Sequence, residues 1–210
     1  MGESEEEDFL YDSDYWEDPN LTFPQQALPS WSDYNAAYPR NPNGTYMTGA
    51  DNIFNHVGGD VLQARLTYPG GTNNPCALKQ SIALNYSGVV IPQITTSNGY
   101  PGTLQGADGK YYFLNAKSMN KWMKETFGTN PATATTPFNS SHYQFTSVDG
   151  GTNGENFPTL LAGKKGIFTM LPISEGAFGA SGHCDKFDGT ECAAKCYFPH
   201  ASEVNIWVLE

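Results

Sequence analysis

Cys76 stands in the run Asn74-Pro75-Cys76-Ala77-Leu78. Asn is a strong helix N-cap and Pro a favoured first helical residue, so the run predicts Cys76 in the first turn of a helix. The helix dipole there favours a thiolate by about 0.3–1 kcal/mol. The thiolate is the nucleophilic form of cysteine. Unsatisfied N–H groups of the same turn could donate to a developing oxyanion. The competing reading is an inert buried thiol that packs as a small hydrophobe.

A base must take the thiol proton and later return it to the leaving group. The segment Gly182-His183-Cys184-Asp185-Lys186-Phe187-Asp188-Gly189 offers one late in the chain. Strand alternation puts His183, Asp185 and Phe187 on one face and Cys184, Lys186 and Asp188 on the other. Asp185 is then the acid nearest His183 on its face. Two residues along a strand span about 6.6 Å, so a bend or a bridging water would have to join the carboxylate to the imidazole. The competing reading of Asp185 is a solvated edge carboxylate. His56, His142 and His200 are expected in surface or capping roles.

Cys192 and Cys196 lie four apart. A disulfide between them would staple the turn after the His183 strand and suit an oxidising compartment. Cys184 would then stay free, facing away from His183. A zinc site of His183, Cys184, Cys192 and Cys196 is the rival, but adjacent strand residues diverge and no Cys-x-x-Cys pair is present. Neither a metal nor a cofactor is expected.

These groups need elements to carry them. Residues 50–66 read as a helix, a break at Gly58-Gly59 and a second short element. The helix opened by Asn74-Pro75 should show Leu78, Ile82 and Tyr86 on one face, with Gly88 past its end. YYFLN (111–115) reads as a strand, and Ser118 as the cap of a helix through Phe127 ended by Gly128. Residues 129–163 read as a long polar loop region. GIFTML (166–171), ASGHCDKFD (180–188) and VNIWVL (204–209) read as strands, with Asp188-Gly189 at a turn. Helices first and strands last give an α+β fold.

The 210 residues carry a formal net charge of −11. Residues 1–40 hold ten acids against Arg40, leaving twelve acids and ten bases for the rest. The acidity is therefore that of a leader, expected as a flexible segment over 1–30, with Phe9, Tyr11, Tyr15 and Trp16 able to pin part of it down. A domain over 31–210 follows. No basic stripe exists to neutralise phosphates, so nucleic acid is not expected as a partner. No apolar run is long enough for a membrane span. No charged-then-apolar signal opens the chain, which leaves the export route open.

Over residues 31–210 the chain resembles the type VI secretion amidase effectors, a papain-like, NlpC-related family. The resemblance rests on VGGDV (57–61), NNPCALKQSIALNYSGVVIP (73–92), GADGKYYF (106–113), GKKGIF (163–168), SGHCDKFDG (181–189), the Cys192/Cys196 pair with CYF, and the terminal VNIWVL. It implies N-terminal helices packed on a C-terminal antiparallel sheet. It implies an amidase that hydrolyses the D-glutamate–diaminopimelate bond of peptidoglycan stem peptides, with Cys76 as nucleophile and His183 as base. Asp185 matches the acid of the pattern GHxDxWxG, in which Phe187 replaces Trp. Some members place the third residue between the paired cysteines, but here that stretch is Ala193-Ala194-Lys195. The family implies an antibacterial toxin that is secreted, acts in the periplasm or at the cell wall of target bacteria, and is met by a cognate immunity protein.

A non-catalytic cell-wall-binding module on the same fold is the alternative, with Trp16, Trp31 and Tyr100 stacking on sugars. A zinc-stabilised interaction domain is a third.

Overall fold

The computed structural model describes residues 11–174, 177 and 179–210. The run before residue 11, with Phe9, lies outside the described residues. In chain order come α1 (Ser13–Trp16), α2 (Trp31–Ala37), α3 (Ala50–Val57), α4 (Gly59–Thr67) and α5 (Cys76–Tyr86). The ribbon β1 (Leu104–Gln105) and β2 (Tyr111–Tyr112) precedes α6 (Ala116–Phe127). Then follow β3 (His142–Thr146), α7 (Ser147–Gly150), α8 (Phe157–Leu161), β4 (Lys165–Pro172), β5 (His183–Asp188) and β6 (Ala201–Val208). The main sheet is antiparallel in the order β3-β6-β4-β5, which makes β5 an edge strand. The α+β expectation is met.

The central element is α5. Every residue from Cys76 to Asn85 is buried, so it is covered all round. Buried polar groups must find partners, and those of α5 tie it to its surroundings. The Tyr34 hydroxyl donates to Gln80 Oε1 at 2.8 Å. Ser81 Oγ accepts the Phe113 N–H at 3.0 Å, and Asn85 Nδ2 donates to the Tyr111 carbonyl at 2.8 Å. The single apolar face expected for this helix is therefore too narrow a description. Tyr86, expected on that face, is exposed and donates to Asp108 Oδ2 at 2.7 Å.

The break at Gly58-Gly59 falls between α3 and α4, with φ of 67° and 60°. A Cβ on Gly59 would lie 2.6 Å from backbone atoms of Gly106 and Ala107, so glycine is needed for close approach as well as for its dihedral. The cap of α6 is Asn115, whose Oδ1 accepts the Ser118 N–H at 3.0 Å, and not Ser118 itself. The expected loop over 129–163 holds β3, α7 and α8, with Phe157 and Leu161 buried under the sheet. Its polar composition hid two apolar anchors. His142, expected at the surface, is buried: Nδ1 accepts the Asn130 N–H at 3.0 Å and Nε2 meets Asn205 Oδ1 at 3.1 Å.

Residues 11–30 lie against the body, in contrast to the flexible leader expected over 1–30. Trp16 is fully buried, near Phe23 and Phe113 with ring centroids 6.1 Å from each. Asp12 caps α1 and also accepts the Asn98 N–H at 3.0 Å. Gln26 exchanges two hydrogen bonds with the Val90 backbone, each 2.8 Å. The large indole buries enough apolar surface to outweigh the local polar composition. Replacing it should therefore damage the whole domain: Trp16→Ala should lower unfolding stability by about 3–5 kcal/mol. Urea denaturation followed by circular dichroism checks this, and an unchanged midpoint would show that the segment is only loosely attached.

Candidate active site

The first residue of α5 is Cys76, and Pro75 occupies the cap position without a side-chain cap bond. Asn74 lies one residue further out than expected. Its Oδ1 accepts the Cys76 N–H at 3.2 Å, so the amide expected to serve an oxyanion is engaged by a side chain that would have to give way. α5 packs on β5, and Cys76 meets both His183 and Cys184 there.

His183 opens β5 and is buried. Gly182 before it permits the fit, because a Cβ there would press at 3.2–3.3 Å on Met170, Ala116 and Lys117. The His183 imidazole is edge-on to Phe168 and to Tyr197, at centroid distances of 6.4 and 5.0 Å. Its Nε2 lies 3.5 Å from Asp185 Oδ2. The 6.6 Å rise between the two residues is thus closed by their side chains without a bridging water. At 3.5 Å the contact is that of an ion pair at the long end of hydrogen bonding.

Asp185 has no exposed surface, so the solvated edge carboxylate is ruled out. Its Oδ1 accepts the Tyr38 hydroxyl at 2.7 Å and the Lys186 N–H at 2.8 Å. Its Oδ2 accepts the Ala194 N–H at 2.9 Å. Cys192 and Cys196 are joined as a disulfide around Ala194, which removes both sulfurs from the zinc reading. Cys76 and Cys184 are free thiols.

The electrostatics follow from these contacts. A hydrogen bond from Cys184 is the largest influence on Cys76, and with His183 it holds the thiol well below its usual range against the opposing effect of burial. Burial pushes Cys184 well up, so it remains a thiol beside the thiolate. For His183, burial opposes the charge, but Asp185 and Cys76 outweigh it and raise the pKa to about 9. Asp185 is lowered although burial alone would raise it, because His183, Tyr38 and Ala194 all favour the carboxylate. A thiolate–imidazolium pair is therefore the resting charge state near neutral pH.

Cys76 opens onto a cleft of about 280 Å³, walled by Asn73, Asn74, Asn115, Ser181 and Tyr197 among others. A wider depression of about 410 Å³ beside Asp33 and Tyr86 contains neither a thiol nor an imidazole. Sequence reading missed Tyr38, Ala194, Tyr197 and the approach of Cys184 to Cys76. Only Cys184 carried a signal, its adjacency to His183, and strand alternation argued against it. Trp16, counted among the sugar-stacking aromatics of the wall-binding alternative, is in the core.

A cysteine at a helix start beside a strand histidine, on helices packed against an antiparallel sheet, is the arrangement of papain-like cysteine hydrolases. The family model for type VI secretion system amidase effector protein 4 (Tae4) matches residues 72–207, and the chain belongs to that family. Tae4 effectors are antibacterial peptidoglycan hydrolases of the cysteine type that cut the D-glutamate–diaminopimelate bond, and this chain is such an amidase. The fold is similar to that of Tae4 in its complex with Tai4 from Enterobacter cloacae (21% identity, 87% of this chain and 99% of the other, TM-score 0.63). It is similar to Enterobacter cloacae Tae4 solved alone (22%, 90% and 100%, 0.63). It is also similar to the Tae4–Tai4 complex from Salmonella Typhimurium (23%, 87% and 99%, 0.60). A comparison with curated proteins returns no match. Among the described residues no helix is long and apolar enough to cross a membrane.

The charge state can be read directly. Alkylation of Cys76 by iodoacetamide, followed against pH, should have its midpoint well below that of an ordinary thiol, near 8.5. His183→Ala removes a favourable cation and should move that midpoint upward. An unmoved midpoint would mean that the imidazole does not support the thiolate.

Proposed function

We propose that Cys76, His183 and Asp185 carry the hydrolysis, as nucleophile, base and orienting acid. The observation that supports this reading is the 3.5 Å approach of His183 Nε2 to a fully buried Asp185, with Cys76 against the same imidazole. With Nε2 turned to Asp185, Nδ1 is the nitrogen that serves the thiol. The thiolate attacks the carbonyl carbon of the stem-peptide amide, and the tetrahedral oxyanion forms at the start of α5. His183 passes its proton to the leaving diaminopimelate nitrogen, and the C–N bond breaks to give a thioester. A water then gives one proton to His183 and attacks the thioester, and collapse releases the D-glutamate carboxyl group, which loses its proton to solvent, and restores the thiolate–imidazolium pair.

The family's type VI delivery and the solved Tae4–Tai4 complexes support two further elements of the reading. The protein acts on the wall in the periplasm of target bacteria, and a cognate immunity protein of the Tai4 kind covers its cleft. No observation favours the wall-binding module as a second reading.

Cys76→Ala should abolish fragment release from purified sacculi, measured by mass spectrometry of the soluble products. Asp185→Asn keeps the shape but loses the charge that holds the imidazolium, and should lower kcat by about 10²–10⁴. Release by Cys76→Ala at the wild-type rate would end the assignment of the nucleophile. An Asp185→Asn enzyme as fast as wild type would end that of the acid.

A further inference from the structure

The short loop after β5 reaches the site twice. It leaves the strand through an isolated bridge between Phe187 and Cys192, with the Ala193 N–H on the Lys186 carbonyl at 2.9 Å. Inside the Cys192–Cys196 disulfide, the Ala194 N–H donates to Asp185 Oδ2. The two carboxylate oxygens have different partners. Oδ1 has Tyr38 and the Lys186 amide, whereas Oδ2, the oxygen that faces His183, is held by Ala194.

One residue past the disulfide, Tyr197 adopts the left-handed conformation at φ 53° and ψ 29°. A bulky residue there stores strain, which persists only where its surroundings force it. Cys196 anchors one side through the disulfide. Phe198 anchors the other, packing on Phe157 and Phe168 with centroids 5.4 and 6.2 Å away. The Tyr197 ring then stands edge-on to His183, at 5.0 Å and 75°, while lining the cleft.

We propose that the Cys192–Cys196 loop is a positioning element for the amidase reaction, fixing Asp185 through the Ala194 N–H and His183 through the ring of Tyr197, so that the enzyme reaches its full rate only with the disulfide closed. The inference rests on the roles assigned to Cys76, His183 and Asp185 above. Opening the loop is a two-electron step. One thiol of a dithiol reductant attacks a loop sulfur, its second thiol releases the mixed disulfide, and the loop gains two thiols while the reductant closes its own disulfide. The open loop regains backbone freedom, which costs Asp185 its partner on the oxygen nearest His183 and lets Tyr197 relax away from the imidazole. A reducing cytoplasm then holds the enzyme slow and an oxidising wall compartment restores it.

The test compares five forms of the full chain on purified peptidoglycan: oxidised wild type, dithiothreitol-reduced wild type, Cys192→Ser/Cys196→Ser, Tyr197→Ala and Tyr197→Phe. Circular dichroism melts report folding for each. Reduced wild type and the double variant should lose about tenfold to a hundredfold in kcat, the cost of a misplaced group. The alkaline limb of their pH–rate profile should fall from near the His183 value of about 9 toward that of an ordinary histidine. Tyr197→Ala should do the same with its disulfide intact, and Tyr197→Phe should restore rate and profile. Equal rates and profiles for oxidised and reduced protein overturn the proposal. So does a Tyr197→Ala enzyme that changes only KM, which would make the ring a substrate wall. Should the double variant fail to fold, reduced wild type and the Tyr197 pair still decide. Cys76→Ala is run alongside in both redox states: inactivity in both is expected, and cleavage by it would overturn the site assignment and this proposal together.

Discussion

An ionised carboxylate removed from water costs several kcal/mol unless donors meet it. Asp185 has no exposed surface, and four groups meet it. They are a phenol at the end of α2, the next backbone amide of its own strand, an amide of the disulfide loop and the His183 imidazole. Three of these groups come from residues 183–194 around Asp185 itself, and the fourth, Tyr38, comes from 147 positions away. The two oxygens are met separately, Oδ1 by Tyr38 and Oδ2 by Ala194, so loss of either partner leaves one side of the buried carboxylate short of a donor.

The neighbouring residue repeats the problem with opposite sign. Lys186 is buried on the other face of the same strand. Its Nζ donates to Asn35 Oδ1 at 2.7 Å and to the Tyr46 hydroxyl. The rings of Trp31, Tyr38 and Tyr46 surround it at 5.5, 5.7 and 4.4 Å. Cation–π contact of this kind is strongest where water is excluded. Tyr38 serves both charges, with its hydroxyl on Asp185 and its ring facing Lys186. An edge strand normally exposes unpaired backbone groups. Here the disulfide loop pairs part of the free edge of β5, through the Phe187–Cys192 bridge and the Ala193 N–H on the Lys186 carbonyl. Residues before the family-matched span of 72–207 thus complete the surroundings of the acid within it.

How much of this was legible follows from the kind of signal each part carried. Cys76 and His183 could be read because a helix-start dipeptide and a strand pattern are local. Asp185 could be named by its spacing from His183, but its burial and partners could not, since Tyr38 lies 147 positions away. Of the four strands of the main sheet, β4 and β6 announced themselves by the apolar runs GIFTML and VNIWVL, and β5 by its alternation around His183. The segment 129–163 did not, because two buried anchors, Phe157 and Leu161, were diluted among polar residues. Over residues 11–30 composition pointed to a flexible segment for the same reason, whereas one of the aromatics expected to pin it down, the fully buried Trp16, holds that part against the body. The relation of Cys76 to Cys184 escaped because alternation describes where side chains leave a strand, not which of them a helix crossing that strand can reach.

The described lining of the cleft is uncharged. Among the described residues its lining contains asparagines, glycines, Ser181, Leu114, two alanines and Tyr197 around Cys76, and no carboxylate, lysine or arginine. That matters for the charge on Cys76, because a nearby carboxylate would oppose the thiolate and a nearby cation would compete with His183 for it. The groups that act on the charge of Cys76 lie behind it: Cys184, His183 and, through the imidazole, Asp185. The walls are then left to bind by dipoles. Asn74 and Asn115 each accept a backbone N–H near a helix start, Asn74 from Cys76 and Asn115, as the cap of α6, from Ser118, and each lines the cleft. Both amides therefore sit at a helix start and line the cleft as well, so the surroundings of the Cys76 sulfur and the shape of its cleft share the same two residues.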